Sequence, residues 1–132
     1  MNKYSVGVAR ADIPNANGRV YPREVIEKFV EMFNGPMFGH MIGDENTEKH
    51  SYVIEKLHTD GGVLIADICT ADNSKGLLLS DMIEKDAISF SAGCIGKAKA
   101  VDGVVHIEDA TLISINACRK YGASISDEQN NS

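Results

Sequence analysis

The chain lacks most of the features that mark secreted, membrane-bound or nucleic-acid-binding proteins. Its three cysteines, Cys69, Cys94 and Cys118, are odd in number, widely spaced and without a CxxC pair. A disulfide framework is therefore not expected. No apolar run approaches the ~20 residues needed to cross a bilayer, and Met1-Asn2-Lys3-Tyr4 opens without the apolar stretch of a signal peptide. The expected compartment is the cytosol, with no membrane partner. Basic charge is also short: 13 Lys and Arg stand against 19 Asp and Glu, giving a formal charge of −6. No basic cluster occurs, and aromatics do not interleave with Lys or Arg. A phosphate-neutralising surface needs the opposite balance, so no nucleic-acid partner is expected.

Metal-ligand spacing is missing as well. The four histidines, His40, His50, His58 and His106, form no HxxxH pair, and neither a metal nor an organic cofactor is expected. What remains is a chain of 132 residues with 43% hydrophobic and 24% charged residues. That is long enough for one domain with a real core and too short for two.

Hydrophobic periodicity predicts the elements. Residues 3–11 alternate as a strand, and a turn at 15–18 ends in Asn17-Gly18. A helix follows over about 22–33, with Pro22 expected at its first position, where a missing N–H costs nothing. Val25, Ile26, Phe29, Val30 and Phe33 share one face of it, and Asn34-Gly35-Pro36 stops it. Residues 37–50 read as loop, with an acidic stretch over 44–48. Strands at 51–58 and 63–69 flank the hairpin signal Thr59-Asp60-Gly61-Gly62. A second helix is expected over 74–85, with Leu78, Leu79, Met82 and Ile83 as its stripe. Four short strands follow at 87–92, 95–101, 104–108 and 110–118, with a tight turn at Asp102-Gly103. This order predicts an α+β domain, a small mixed and mainly antiparallel barrel or sheet with two or more packed helices. The domain is expected over 1–122, followed by a polar, disordered tail over 123–132.

Ser89 lies in a short apolar strand that runs into Ala92 and Gly93. A nucleophilic serine needs an exposed Oγ on a rigid backbone, with N–H groups aimed at a developing oxyanion, and such a strand can supply them. Its base would be a histidine, because imidazole titrates near neutrality. His40 sits in the glycine-flanked segment Gly39-His40-Met41-Ile42-Gly43, whereas His50 and His58 border strands. The segment His106-Ile107-Glu108-Asp109 holds candidates for a residue that orients the imidazole.

Four stretches together resemble a known family. They are Asn17-Gly18-Arg19-Val20-Tyr21-Pro22, the segment Thr70 to Leu79, Ala87-Ile88-Ser89-Phe90-Ser91-Ala92-Gly93, and Asp109 to Ile115. In order and spacing they are similar to the bacteriophage prohead core (maturation) proteases, which are related to the herpesvirus assemblin-type serine proteases. The resemblance spans about residues 5–120. It implies an assemblin-like prohead protease fold and a serine endopeptidase of capsid maturation, cleaving scaffold and capsid-protein segments inside the assembling prohead in the host cytoplasm. Self-association into a homo-oligomer is left open. In this register Ser89 is the nucleophile and Ser91 is not. His40 is the base, with His50 as alternate, because the loop lacks the family's His-Pro. Counting back from Leu112 makes Asp109 the third member, with His106 in reserve for a Ser-His-His arrangement. Gly93 and Arg119 are the residues expected near the oxyanion and substrate. The competing expectation is a catalytically silent capsid assembly or scaffold protein that keeps the fold.

Overall fold

A computed structural model of the chain describes residues 1–43 and 49–120, so the predicted tail and the acidic stretch over 44–48 lie outside it. The elements run β1 (Lys3–Arg10), β2 (Arg19–Val20), α1 (Arg23–Met32), β3 (Met37–Gly39), β4 (Tyr52–Asp60), β5 (Val63–Thr70), α2 (Ser74–Glu84), β6 (Ile88–Val101) and β7 (Val104–Arg119). Among the described residues the strands form two open sheets, ordered β1-β5-β4-β3 and β2-β7-β6. The expected mixture of helices and mainly antiparallel strands is present, but no closed barrel is. No helix among the described residues is long and apolar enough to cross a membrane.

The N-terminal turn is built by side chains. Asn15 Oδ1 accepts hydrogen bonds from the N–H groups of Asn17 and Arg19 at 2.9 and 3.0 Å, and Gly18 takes a φ of 72°. This turn delivers β2 alongside β7, where Arg19 and Val20 pair in parallel with Val105 and His106. Pro22 occupies the N-cap of α1, one position before the first helical residue Arg23, rather than the first helical position expected from the sequence. Asp12, brought back by the same turn, accepts from Arg23 N at 3.3 Å and so serves the exposed start of the helix. The helix buries Val25, Ile26 and Phe29.

Three expectations change in detail. The segment predicted as loop over 37–50 opens with β3, which pairs antiparallel with β4 through Met37↔Ile54 and Gly39↔Tyr52. Two glycines and a proline around it hide its strand character from periodicity. The four predicted C-terminal strands are one long hairpin, β6–β7, closed by Asp102 and Gly103 with φ of 52° and 80°. Both central residues have positive φ, as a two-residue hairpin turn requires. Its ladder is interrupted between Gly93 and Cys94 and between Lys97 and Ala98, close to the predicted strand breaks. A bulge inserts a residue and upsets alternation without ending the strand, which is why the sequence reads as shorter pieces. Finally, α2 buries Gly76, Leu79, Ser80 and Met82, while Leu78 faces outward.

Gly76 stands in the first turn of α2 against the end of β5. A Cβ at this position would lie 1.8 Å from the carbonyl oxygen of Ala71. Helix propensity alone favours alanine by about 1 kcal/mol, but the clash outweighs it. Gly76→Ala should lose about 1–3 kcal/mol of stability in urea denaturation, as overpacked sites do; a rise in midpoint would contradict this packing.

On the outer face of the first sheet, Asp67 accepts from Ser5 Oγ at 2.7 Å and contacts His58 Nε2 at 3.1 Å. These two hydrogen bonds, Ser5 first, hold its carboxyl below the ordinary value of 3.8. A lowered folded value stabilises the fold at and above the ordinary value, and that contribution disappears as pH falls through the folded one. Ser5→Ala should therefore make the unfolding midpoint less sensitive to pH below about 4. Identical acid titrations of the two proteins would contradict the linkage.

Candidate active site

The N-terminal half of β6 presents alternate residues to opposite faces, as a strand must. Ile88 and Phe90 are buried, and so is Ala117, the β7 partner of Phe90. Ser89, Ser91 and Gly93 therefore occupy the other face, opposite Cys118, Asn116 and Ser114 respectively. This places a short strip of small polar side chains on the outer surface of the hairpin. Ser89 is exposed and Ser91 half-buried.

His40 reaches this strip from the other sheet. After β3 ends, Met41 forms a parallel bridge with Ala117, and Ile42 N donates to Ala117 O at 2.8 Å. Met41 and Ala117 are both buried and share the core side. His40 and Ile42 consequently share the side that carries the serines. The register sets two rows: His40, Asn116, Ser91, and next to it Ile42, Cys118, Ser89. With strands about 4.8 Å apart, the His40 and Ser91 backbones stand about 10 Å apart across the intervening β7. The Nδ1 atom of His40 is buried and has no hydrogen-bond partner among the described residues.

Tyr52 holds this junction. It lies on β4 opposite Gly39, and its ring covers that glycine so closely that a Cβ there would sit 2.2 Å from the ring. Its hydroxyl donates to the carbonyl oxygen of Ile115, and its ring meets Phe90 edge to face, with centroids 5.7 Å apart. Burial pushes the phenol well above its ordinary value of 10, so it remains a proton donor. One residue thus ties β3, β4, β6 and β7 together next to His40.

The other sequence-predicted residues fall in different places. Asp109 pairs with Lys97, far down the hairpin, and makes an ion pair with Lys28 of α1 at 2.7 Å. That hydrogen bond and charge hold its carboxyl below the ordinary value. Nine residues of β7 separate it from the Ser89 row, on the order of 25–30 Å of strand. His106, opposite Lys99, lies farther still. The structure places neither Asp109 nor His106 beside the serines. Counting residues from Leu112 places Asp109 on the right strand but at its distant end. His50 packs edge to face against Phe38, with centroids 4.7 Å apart, beside the segment that carries His40.

Arg119 ends β7 opposite Ile88 and lines a cavity of about 370 Å3 with Met41, Ile42, Ser51 and Leu78. Ser89 instead lines a separate groove of about 300 Å3, with Gly7 of β1 and the Lys120–Asp86 ion pair. Gly93 faces Ser114, whose Oγ would be 2.4 Å from a Cβ at that position. Asn116 carries no role in the sequence reading. The signal for it was available: small polar residues alternate on both arms, at 89, 91 and 93 and at 114, 116 and 118. Among the described residues no group of three or more His, Cys, Asp or Glu is placed to hold a metal ion.

No family model and no curated protein matches the chain. Among solved structures it is similar to the bacteriophage T4 capsid assembly protease, gp21, with a TM-score of 0.72. The two are 16% identical over 88% of this chain and 80% of that one. The chain shares its fold with a phage capsid assembly protease. The prohead-protease resemblance read from four sequence stretches therefore extends to the backbone. At this identity the capsid-protease likeness concerns the fold, and the site must be argued from its own residues.

Tyr52→Phe removes the buried hydroxyl and leaves the Ile115 carbonyl without that partner. It should cost about 1–3 kcal/mol in urea denaturation. An unchanged midpoint would show that the hydrogen bond contributes nothing to this junction.

Proposed function

We propose that the chain is a serine endopeptidase of phage capsid maturation, acting within the assembling prohead in the host cytoplasm. Its substrates on this reading are scaffold and capsid-protein segments. The observation that carries the proposal is the delivery of His40, by the β3–β7 junction, onto the face that bears the β6 serines. The capsid assembly protease of similar fold supports it independently.

A serine Oγ attacks the scissile carbonyl, and His40 Nε2 removes its proton and passes it to the leaving amine. Water then hydrolyses the acyl-enzyme by the same route in reverse. The resemblance names Ser89 as the nucleophile; Ser91 stands on the same face. Backbone N–H groups near Gly93 and Arg119 serve the oxyanion, where loss of one donor typically costs about 100- to 1,000-fold in rate. No step requires a metal or an organic cofactor.

The silent assembly protein remains a competitor for one specific reason. Around His40 the rows on β6 and β7 hold Ser, Asn and Cys, and no carboxylate. Cleavage of scaffold protein decides between the two readings. Ser89→Ala/Ser91→Ala and His40→Ala should each lower it by about 10,000-fold or more while thermal unfolding stays near that of the parent. Cleavage at the parent rate by both variants would overturn the peptidase assignment.

A further inference from the structure

We infer that the groove beside Ser89 is a side-chain subsite, and that it selects an uncharged aliphatic residue next to the bond that is cut. This rests on the serine-peptidase reading above, with Ser89 as the serine that the sequence resemblance names.

The groove exists because two sheets end side by side. Among the described residues β1 is the last strand of one sheet and β6 the last strand of the other. Together with the end of α2 they enclose a groove of about 300 Å3, whose lining includes Val6, Ile83, Ile88, Ser89 and Phe90. A groove along the edge of a strand meets residues from both of its faces. Ser89 therefore shares it with Ile88 and Phe90, which point to the opposite face of β6.

The walls are apolar. Ile88 and Phe90 are buried and belong to the core. Val6 and Ile83 pack against that core but are only half-buried, and both line the groove. The two charged residues at the groove, Asp86 and Lys120, are held by each other, with Lys120 Nζ 2.6 Å from Asp86 Oδ1. Lys120 N also donates to the carbonyl oxygen of Ala87 at 2.9 Å, which ties the end of β7 to the residues after α2. The charges in the lining thus neutralise one another. A Lys, Arg, Asp or Glu side chain entering it would lose hydration against apolar walls without gaining a free counter-charge. An aliphatic side chain loses nothing of that kind and gains burial.

The place of Ser89 decides which residue enters. Ser89 is exposed, so a backbone carbonyl can approach its Oγ from outside. The side chain of the residue that owns this carbonyl begins two bonds from the attacked carbon. The groove opens at the same serine. Apolar pockets of this kind grade substrates by size, about 10- to 200-fold for each methylene gained or lost. Ile83, on the last turn of α2, is the wall residue whose size and charge set the preference.

The test uses the full chain, a peptide library prepared from a bacterial proteome, and mass spectrometry of the newly formed ends. A fluorophosphonate probe on the same preparation reports on the serine. We expect bonds next to Val, Ile or Leu to be cut about 10-fold more often than bonds next to charged residues. Ile83→Ala, which widens the groove, should shift the preference about 10-fold toward Phe and Met. Ile83→Lys places a cation in the wall and should turn the preference toward Asp and Glu, a change of sign that damage to packing does not produce. Should Ile83→Lys fail to fold, the parent and Ile83→Ala patterns still decide. Charged residues beside the bonds cut by the parent, or identical patterns in the parent and Ile83→Ala, overturn the subsite and leave the peptidase standing. No cleavage and no serine adduct in the parent overturn the peptidase reading, and the subsite with it.

Discussion

Tyr52 is the point on which the two sheets and the site between them depend. It is fully buried on β4, lies flat over Gly39, and hands its hydroxyl proton to Ile115 on β7. Met41 enters the core beside Ala117, and His40 is turned to the opposite face. The parallel bridge beside it is a single pair, Met41 with Ala117, and the carbonyl of Ile115 accepts from the Tyr52 hydroxyl instead. Burying it without a partner would be costly, and the Tyr52 hydroxyl meets that need. A large aromatic residue over a glycine, with one hydrogen bond at its tip, thereby fixes where an imidazole is presented.

The long β6–β7 hairpin sets the other half of the arrangement. Its arms place Ser89, Ser91 and Gly93 against Cys118, Asn116 and Ser114. The same hairpin carries Asp109 and His106 at its far end, close to the N-terminal turn and to α1. Strand residues separate quickly, about 3.3 Å for each step. Two residues nine positions apart on one strand therefore serve different parts of the molecule. Asp109 pairs with Lys28 of α1 on the surface, and that hydrogen bond and charge hold its carboxyl below the ordinary value.

Much of this was legible beforehand, and the reason is local. The Asn17-Gly18 turn, the helix 22–33 with its apolar face, the Gly61-Gly62 hairpin and the Asp102-Gly103 turn all depend on neighbours in sequence. Each appeared within a residue or two of its expected place. The strand at 37–39 was not legible, because Gly35, Pro36 and Gly39 carry loop signals and its stability comes from β4. The register shifts in the β6–β7 ladder, where β7 carries the extra residues Ile113 and Glu108, were read as strand ends for a similar reason: only the partner strand shows that pairing resumes. Leu78 was placed in the core by a helical stripe that the tertiary packing rotates outward.

For the candidate site, the sequence by itself supplied the candidates. It placed a serine-bearing strand, a glycine-flanked histidine and a following polar strand in an order that resembles the capsid maturation proteases. It also excluded a disulfide framework by the number and spacing of its cysteines. Tertiary structure alone decided which of these residues meet. Register across strands is a non-local quantity, and it sets which β6 residues share a row with the segment that carries His40. That register follows from the Met41–Ala117 bridge and from Tyr52 above Gly39, contacts between residues far apart in the chain.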